Sequence, residues 1–320
     1  MVSKRADHSG SNDIKYAIQA RRLGKSYGNL KAVDSLDLAI PQGQFFGLLG
    51  PNGSGKTTTL HMLSTLIRPT DGTVMVAGYD VAKSPVSVRR AIGLVFQESA
   101  LDRNLTVNEN LHFAGALYNL PKRVARERSQ ELLELFDLTP RQRTQVSTLS
   151  GGMRRALDIA RGVLHRPRVL FLDEPTIGLD VMNRRAIWRF INHLRQEEGM
   201  TVLLTTHYLE EAEGCDQVAF MHKGCLIGQG EPKKLIRSLG AYILEVESDA
   251  PDRHADLLNP KLGSPIREGN CLMYCVPNED FPVTELQREL KSTVHAVHLR
   301  RPDLNDVYIW LNHRTSRNMV

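Results

Sequence analysis

Gly50-Pro51-Asn52-Gly53-Ser54-Gly55-Lys56-Thr57, followed at once by Thr58, is the stretch on which the reading of this 320-residue chain turns. It fits the phosphate-loop pattern G-x-x-x-x-G-K-[ST] without a mismatch. Just upstream, Gln44 to Leu49 reads as a short buried strand running into the loop. Just downstream, Thr57 to Leu66 carries Leu60, Leu63 and Leu66 along one side of a helix. Strand, glycine loop and helix together make an anion site. The glycines let the backbone curl so that successive N–H groups point inward, and the helix start adds its positive end. In such a loop Lys56 neutralises β- and γ-phosphate charge, the Thr57 hydroxyl sits on Mg2+, and Thr58 donates to an α-phosphate oxygen. A Gly/Ser surface turn with a solvated lysine is the plain alternative, and it leaves the flanking strand and helix without a reason.

Two later stretches also have the character of sites. Behind Thr148-Leu149-Ser150-Gly151-Gly152, the residues Met153, Ala156, Leu157, Ala160 and Leu164 fall at helical spacing. Ser150 is a good N-cap, and a Gly-Gly first turn leaves N–H groups bare at the positive end of the dipole. That is a second phosphate-seeking feature. After Pro167, the apolar strand Val169 to Leu172 ends in Asp173 and Glu174. Two carboxylates at the end of a buried strand are costly unless a metal or a reaction uses them. Open α/β sheets bind their ligands at that end. Gly178-Leu179-Asp180 forms a turn before a helix from Arg184 to Glu198, and one more buried strand, Thr201 to Thr205, ends at His207.

Around these stretches the chain reads as follows. Tyr16–Ala20 and Ala32–Ile40 are strands, with Lys25-Ser26-Tyr27-Gly28 between them as a turn that displays an aromatic ring. Thr73 to Ala77 is a strand, and Ile92 to Phe96 is a buried one ending at Gln97. Leu105 to Tyr118 is helical with Asn104 or Thr106 as its cap. Pro121 and Lys122 to Arg128 open an amphipathic helix whose basic run is most simply a solvated face. Val218–Met221 and Leu226-Ile227 make a hairpin around Lys223-Gly224. Beyond Glu231-Pro232 come a short helix, Lys233–Leu239, strands at Tyr242–Val246, Leu272–Val276 and Val294–Leu299, and a helix near Thr284–Leu290. The expected organisation is a disordered tail over 1–13, an α/β phosphate-loop domain over 14–235 with a helical subdomain about 98–165, and a small α+β accessory domain over 236–320.

Composition sets the outer bounds. Hydrophobic content of 41% and charged content of 24% are ordinary for a globular protein. The net charge of +5 admits nucleic acid or a membrane surface as partners, but the basic residues are scattered among acids with no polybasic arm, so nucleic acid is not expected. Cys271 and Cys275 read as same-face strand cysteines in a core, and four late cysteines do not make a disulfide scaffold. Met1 to Asp13 is neither signal peptide nor anchor, and no apolar run approaches the ~18 residues that cross a bilayer. If this protein works at a membrane, another chain supplies the spans.

The phosphate loop, Gln97, Leu149 to Met153, Val169 to Glu174, Asp180 and His207 stand in an order that resembles the nucleotide-binding subunit of an ATP-binding cassette (ABC) transporter, from about Tyr16 to Gly230. The chain is most similar to separately encoded exporter ATPases of the daunorubicin-resistance and nodulation-factor type. Gln97-Glu98-Ser99-Ala100-Leu101-Asp102, Leu149-Ser150-Gly151-Gly152-Met153-Arg154-Arg155 and Arg301-Pro302-Asp303-Leu304-Asn305-Asp306-Val307-Tyr308 carry that likeness. The resemblance implies that Tyr27 stacks on adenine, Asp173 reaches Mg2+ through a water, and Glu174 is the general base. It implies that His207 contacts the γ-phosphate, that Gln97 touches Mg2+ or the water and signals to a membrane partner, and that Asp180 crosses to a second subunit. Taken alone, Tyr27 could be a core tyrosine, His207 a structural histidine and Gln97 a satisfied surface glutamine. The family signature usually ends Gly-Gly-Gln; Met153 stands there instead, which removes a side-chain hydrogen bond and leaves the Ser150 hydroxyl and glycine backbone intact. The implied assembly is a homodimer with ATP and Mg2+ sandwiched between copies, bound peripherally to an ABC-2-type permease on the cytoplasmic side of the inner membrane. A soluble cassette ATPase acting on ribosome or DNA, or an importer ATPase, are the alternative readings.

Overall fold

The computed structural model describes residues 16–317 apart from 279–280, 283–284, 287–289 and 291–293. The central sheet has six strands: β3 (Phe45–Leu49), β6 (Ile92–Val95), β7 (Val169–Asp173), β8 (Thr201–Thr206), β9 (Gln217–His222) and β10 (Cys225–Gly230), in the order β10-β9-β3-β8-β7-β6. All neighbours are parallel except β9 and β10, which form the hairpin expected around Lys223-Gly224. Both faces are covered, which is why β3, β7 and β8 are buried at every position without alternation. Phe45, Leu49, Leu170, Leu172, Val202 and Leu204 look toward one core, while Phe46, Leu48, Val169, Phe171 and Leu203 look toward the other.

The second core closes against helix α1 (Lys56–Leu63) and an antiparallel sheet of β1 (Tyr16–Tyr27), β2 (Leu30–Pro41), β4 (Asp71–Val76) and β5 (Tyr79–Asp80), with α2 (Pro85–Ala91) before β6. Here β1 continues to Tyr27, so the turn lies at Gly28-Asn29 rather than over Lys25–Gly28. The first core takes in α3 (Val107–Leu117), α4 (Lys122–Leu135), α5 (Gly151–Val163) and α6 (Val181–Glu198). Of the two cap candidates for α3, Thr106 is the cap. Its hydroxyl accepts from Glu109 N while the Glu109 carboxylate accepts from Thr106 N at 2.7 Å. Helix α6 starts three residues before the expected Arg184 because Asp180 caps it, accepting from Asn183 N at 2.9 Å.

After α7 (Leu209–Ala212) and α8 (Pro232–Arg237) comes a third sheet, ordered β12 (Ile266–Glu268), β13 (Cys271–Val276), β11 (Tyr242–Glu247), β14 (Ala296–Arg300). Two helices were not expected there: α9 (Pro251–Leu262) and α10 (Leu304–Arg317). The helix expected near Thr284–Leu290 falls mostly outside the described residues, and the tail over 1–13 wholly so. Cys271 and Cys275 share a half-buried face of β13 with Met273 and are free thiols. Helix α10 joins two cores: Leu304 and Val307 enter that of the central sheet, and Trp310 packs with Ile243, Ile266 and Met273 of the third sheet.

Candidate nucleotide site

Parallel strands put their carboxyl ends on one edge, and there the loop at Gly50, Gln97, the Asp173-Glu174 pair and His207 leave β3, β6, β7 and β8. The loop is built around glycine. Gly50 has φ 151°, and a Cβ on it would lie 2.3 Å from Met221 O; Gly55, at φ 106°, would set one 2.6 Å from Ala32 O. Lys56 is buried and folds back over the loop, its Nζ donating to Gly50 O at 2.8 Å and Pro51 O at 3.1 Å. Burial pushes its pKa down, against the opposing charges of Glu174 and Asp173. The buried Ser54 hydroxyl has no hydrogen-bond partner among the described residues. A glycine-built loop with a desolvated ammonium and an idle hydroxyl fits a polyphosphate.

Asp173 and Glu174 stand over this loop. Asp173 Oδ1 accepts from Thr205 Oγ1 at 2.5 Å and from the exposed Thr57 hydroxyl at 3.3 Å. A carboxylate and a hydroxyl converging beside a phosphate loop form a hard oxygen donor set that fits Mg2+. Glu174 lies 4.0 Å from Lys56 Nζ through Oε1, and the same oxygen lies 3.1 Å from His207 Nδ1, off the line of a hydrogen bond. Its backbone is left-handed, φ 45°, although it is not glycine. Such strain persists only where the surroundings over-determine it, and it turns the Glu174 side chain off the strand register.

The other expected residues lie apart from this cluster. Ser150 caps α5 through a 3.2 Å bond from Met153 N, and Asp180 is bound by Asn183; neither shares a hydrogen bond with the phosphate loop. They are tied to each other, because Gly152 packs so closely on the Asn183 side chain that a Cβ would collide with it. Gly151 is open to solvent and Gly152 is buried. Tyr27 is 50% exposed with Lys25 Nζ 5.2 Å from its ring centroid, so it is a displayed ring and not a core tyrosine. Gln97 is exposed just past β6. Pro51, Asn52 and Gly53 form the exposed crest of the loop, and Thr58 sits half-buried in the first turn of α1.

Sequence reasoning missed the groups that brace this edge. Arg155, 7% exposed on α5, donates to Phe96 O, Pro175 O, Asp173 O at 3.2 Å and Glu174 O at 3.3 Å, holding the ends of β6 and β7 together. Three residues on, buried Asp158 has its pKa pushed up by desolvation while Ser99 and Arg161 favour its charge. Arg161 also donates to Ala100 O at 2.6 Å, so one face of α5 fixes the segment after Gln97. The signal was there: two charges at i and i+3 inside an otherwise apolar helical face.

Residues 33–177 match the family model described as ABC transporter. The daunorubicin resistance ATP-binding protein DrrA2 of Streptomyces coeruleorubidus is 41% identical over 94% of this chain and 96% of that relative. The Nod factor export ATP-binding protein I of Cupriavidus metallidurans is 40% identical over 94% and 99%. Among solved structures, a dimeric ATP-binding cassette in a post-hydrolysis state, bound to ADP and Pi, superposes with a TM-score of 0.62 at 27% identity, covering 67% of this chain and 98% of that one.

Proposed function

Because this chain belongs to the ABC transporter family as an ATP-binding subunit, we propose that it drives export through a separately encoded, ABC-2-type membrane permease by ATP-dependent pairing of two copies. The single observation that carries the reading is the division of the site. Lys56, Thr57, Asp173, Glu174 and His207 form one half at the sheet edge, and Ser150 to Gly152 with Asp180 form another that makes no bond to it. Two copies arranged head to tail bring each half against the other's. The dimeric cassette with ADP and Pi, and relatives named for drug resistance and Nod factor export, favour the same reading.

Within each half the roles follow from charge and reach. The curled loop and Lys56 bind the phosphates, Thr58 contacts the α-phosphate, and Tyr27 offers its exposed face to adenine. Bound beside Thr57 and Asp173, with Gln97 as a further oxygen donor, Mg2+ would neutralise charge on the β- and γ-phosphates. Glu174 takes the proton of the attacking water, and His207, beside its carboxylate, keeps water and base in line. The Ser150 hydroxyl and the Gly151-Gly152 amides of the second copy cover the γ-phosphate, and Asp180 crosses with them. Hydrolysis removes the shared anion and the copies part.

No helix among the described residues is long and apolar enough to cross a membrane. The permease docks on the outside of the cassette, and a groove of about 240 Å3 at Phe96, the residue before Gln97, suits it. Phe96, Phe113, Leu117 and Leu66 line it, and Phe113 and Leu117 are more than half exposed. The chain then works peripherally on the cytoplasmic side of the inner membrane, with 14–235 as cassette and 236–320 as accessory domain. Glu174→Gln, which keeps shape and removes basicity, is expected to elute as a dimer with Mg-ATP on size exclusion and to turn over little. Turnover near the parent rate would remove Glu174 as base; failure to dimerise would remove the two-copy reading.

A further inference from the structure

Glu211, on α7, is a buried carboxylate that the chemistry above does not use. Its two oxygens are divided between the two segments that deliver the reacting side chains. Oε1 accepts from the Thr176 hydroxyl, two residues past Glu174. Oε2 accepts from the Thr206 hydroxyl at 2.8 Å, one residue before His207. The Thr206 hydroxyl in turn accepts from Tyr208 N at 2.9 Å, so the turn that carries His207 is gripped on both sides. Arg184, in the first turn of α6 beyond Asp180, lies 3.8 Å from Glu211 Oε1 and stacks its guanidinium 5.1 Å from the Tyr208 ring centroid.

We propose that Glu211 is a positioning residue for hydrolysis: by bridging Thr176 and Thr206 it sets the 3.1 Å approach of His207 Nδ1 to Glu174 Oε1. Glu174 sits at a strained φ of 45° and His207 lies past the end of its strand, so neither is fixed by sheet hydrogen bonds alone. A carboxylate that accepts from both flanks fixes their separation without touching nucleotide. Its hydrogen-bond partners are hydroxyls that Gln can also serve, one by its carbonyl and the other by its amide, after the hydroxyl turns. A carboxylate needed only for charge would not tolerate that exchange.

The inference rests on Glu174 being the base, and Glu174→Gln in the same assay tests that premise separately. The full chain is assayed as parent, Glu211→Ala, Glu211→Gln, Thr176→Val and Thr206→Val, with kcat and KM for Mg-ATP and the affinity for ATP measured by calorimetry. Glu211→Ala is expected to lower kcat by about tenfold or more with ATP affinity within about twofold, while Glu211→Gln keeps kcat within about threefold. Each threonine variant is expected to lower kcat by about threefold or more, and these near-isosteric changes carry the test if Glu211→Ala fails to fold. The proposal is overturned if kcat stays within about twofold in Glu211→Ala or, where that does not fold, in both threonine variants. It is equally overturned if kcat and ATP affinity fall together, or if Gln fails to rescue. With Glu174→Gln inactive, any of those outcomes leaves the proposed base standing and removes only Glu211.

Discussion

At the carboxyl edge of the central sheet, buried polar groups find partners far away in the chain: Asp173 with Thr57 and Thr205, Arg155 with Phe96 and Pro175, Glu211 with Thr176. In the region of β11 to β14 they close mostly at short range. Ser248 meets the buried His254, and Asp306, with no exposed surface, takes a forked pair of 2.7 Å bonds from Arg300 and one from Asp303 N. Both regions are sheets with helices on them, yet their buried charge serves different ends. A short-range pair staples one segment, and Arg300 extends its own only to Glu245 on the neighbouring β11, at 2.8 Å. Long-range groups converge only when the whole fold is formed, and at this edge they leave capacity over, in the Ser54 hydroxyl and the Lys56 ammonium, for something that is not protein.

The largest effect expected from this contrast is on turnover. Glu174→Gln is expected to lower kcat by about 10²–10⁴ while leaving the urea midpoint near the parent value, because a general base of the kind proposed at Glu174 contributes about that much and the amide keeps the packing. A large shift in the midpoint would mean that Glu174, like Asp306, is chiefly a staple.

Arg155→Ala asks the reverse question of the same edge. Four carbonyls at the ends of β6 and β7 lose their donor inside a desolvated pocket, and a loss of about 3–5 kcal/mol in unfolding free energy is expected. Arg155→Lys recovers only part of it, since an ammonium cannot fan its donors as a guanidinium does. Denaturant titration of both variants measures the difference, and a cost below that of an exposed arginine would sever the brace from the edge.

How much of this was legible beforehand follows the same line. The phosphate loop, the Ser150 start of α5 and the Asp173-Glu174 end of β7 could be read because each is a contiguous stretch whose local chemistry announces itself. The bracing by Arg155 and Glu211 could not, because Arg155's partners lie 18 to 59 residues away and Thr176, which makes Glu211 a bridge rather than a local bond, lies 35 away, brought near only by strand order. Helix α10 did leave a signal. Asp303 accepts from Asn305 N and Asp306 N, and Leu304, Val307, Tyr308 and Leu311 repeat at helical spacing behind Pro302. Helix α9 hid better, for Pro260 lies inside it, in its last turn.

A pH titration sharpens the contrast at smaller scale. His165 stacks on Tyr118 with centroids 3.6 Å apart and bonds Ile92 O at 2.9 Å, and its burial, with Arg128 nearby, pushes its pKa down to about 4. The folded chain thus disfavours the proton that an unfolded histidine takes up near pH 6.5. The stability held by the neutral ring is whole above about pH 6.5 and is withdrawn as pH falls toward 4, by about 3 kcal/mol in all. Urea midpoints between pH 7.5 and 4.5 should fall in the parent and flatten in His165→Asn. An equally steep fall in the variant would assign the acid sensitivity to other groups.

The smallest effect is expected where the two regions meet. The Tyr308 hydroxyl bonds His222 Nδ1 at 3.0 Å, joining α10 to the end of β9, and burial, with Lys223 beside it, biases His222 toward its neutral form. Tyr308→Phe keeps the ring beside Phe220, whose centroid is 6.1 Å away, and removes one half-buried hydrogen bond, so it is expected to cost about 1 kcal/mol. Because that bond touches neither Glu174 nor His207, kcat is expected to stay within about twofold of the parent. Thermal melts and steady-state ATPase on the one variant measure both. A drop in turnover out of proportion to the melt would mean that α10, which packs against α7 and so stands behind Glu211, belongs to the hydrolytic edge and not to the stapled region beyond it.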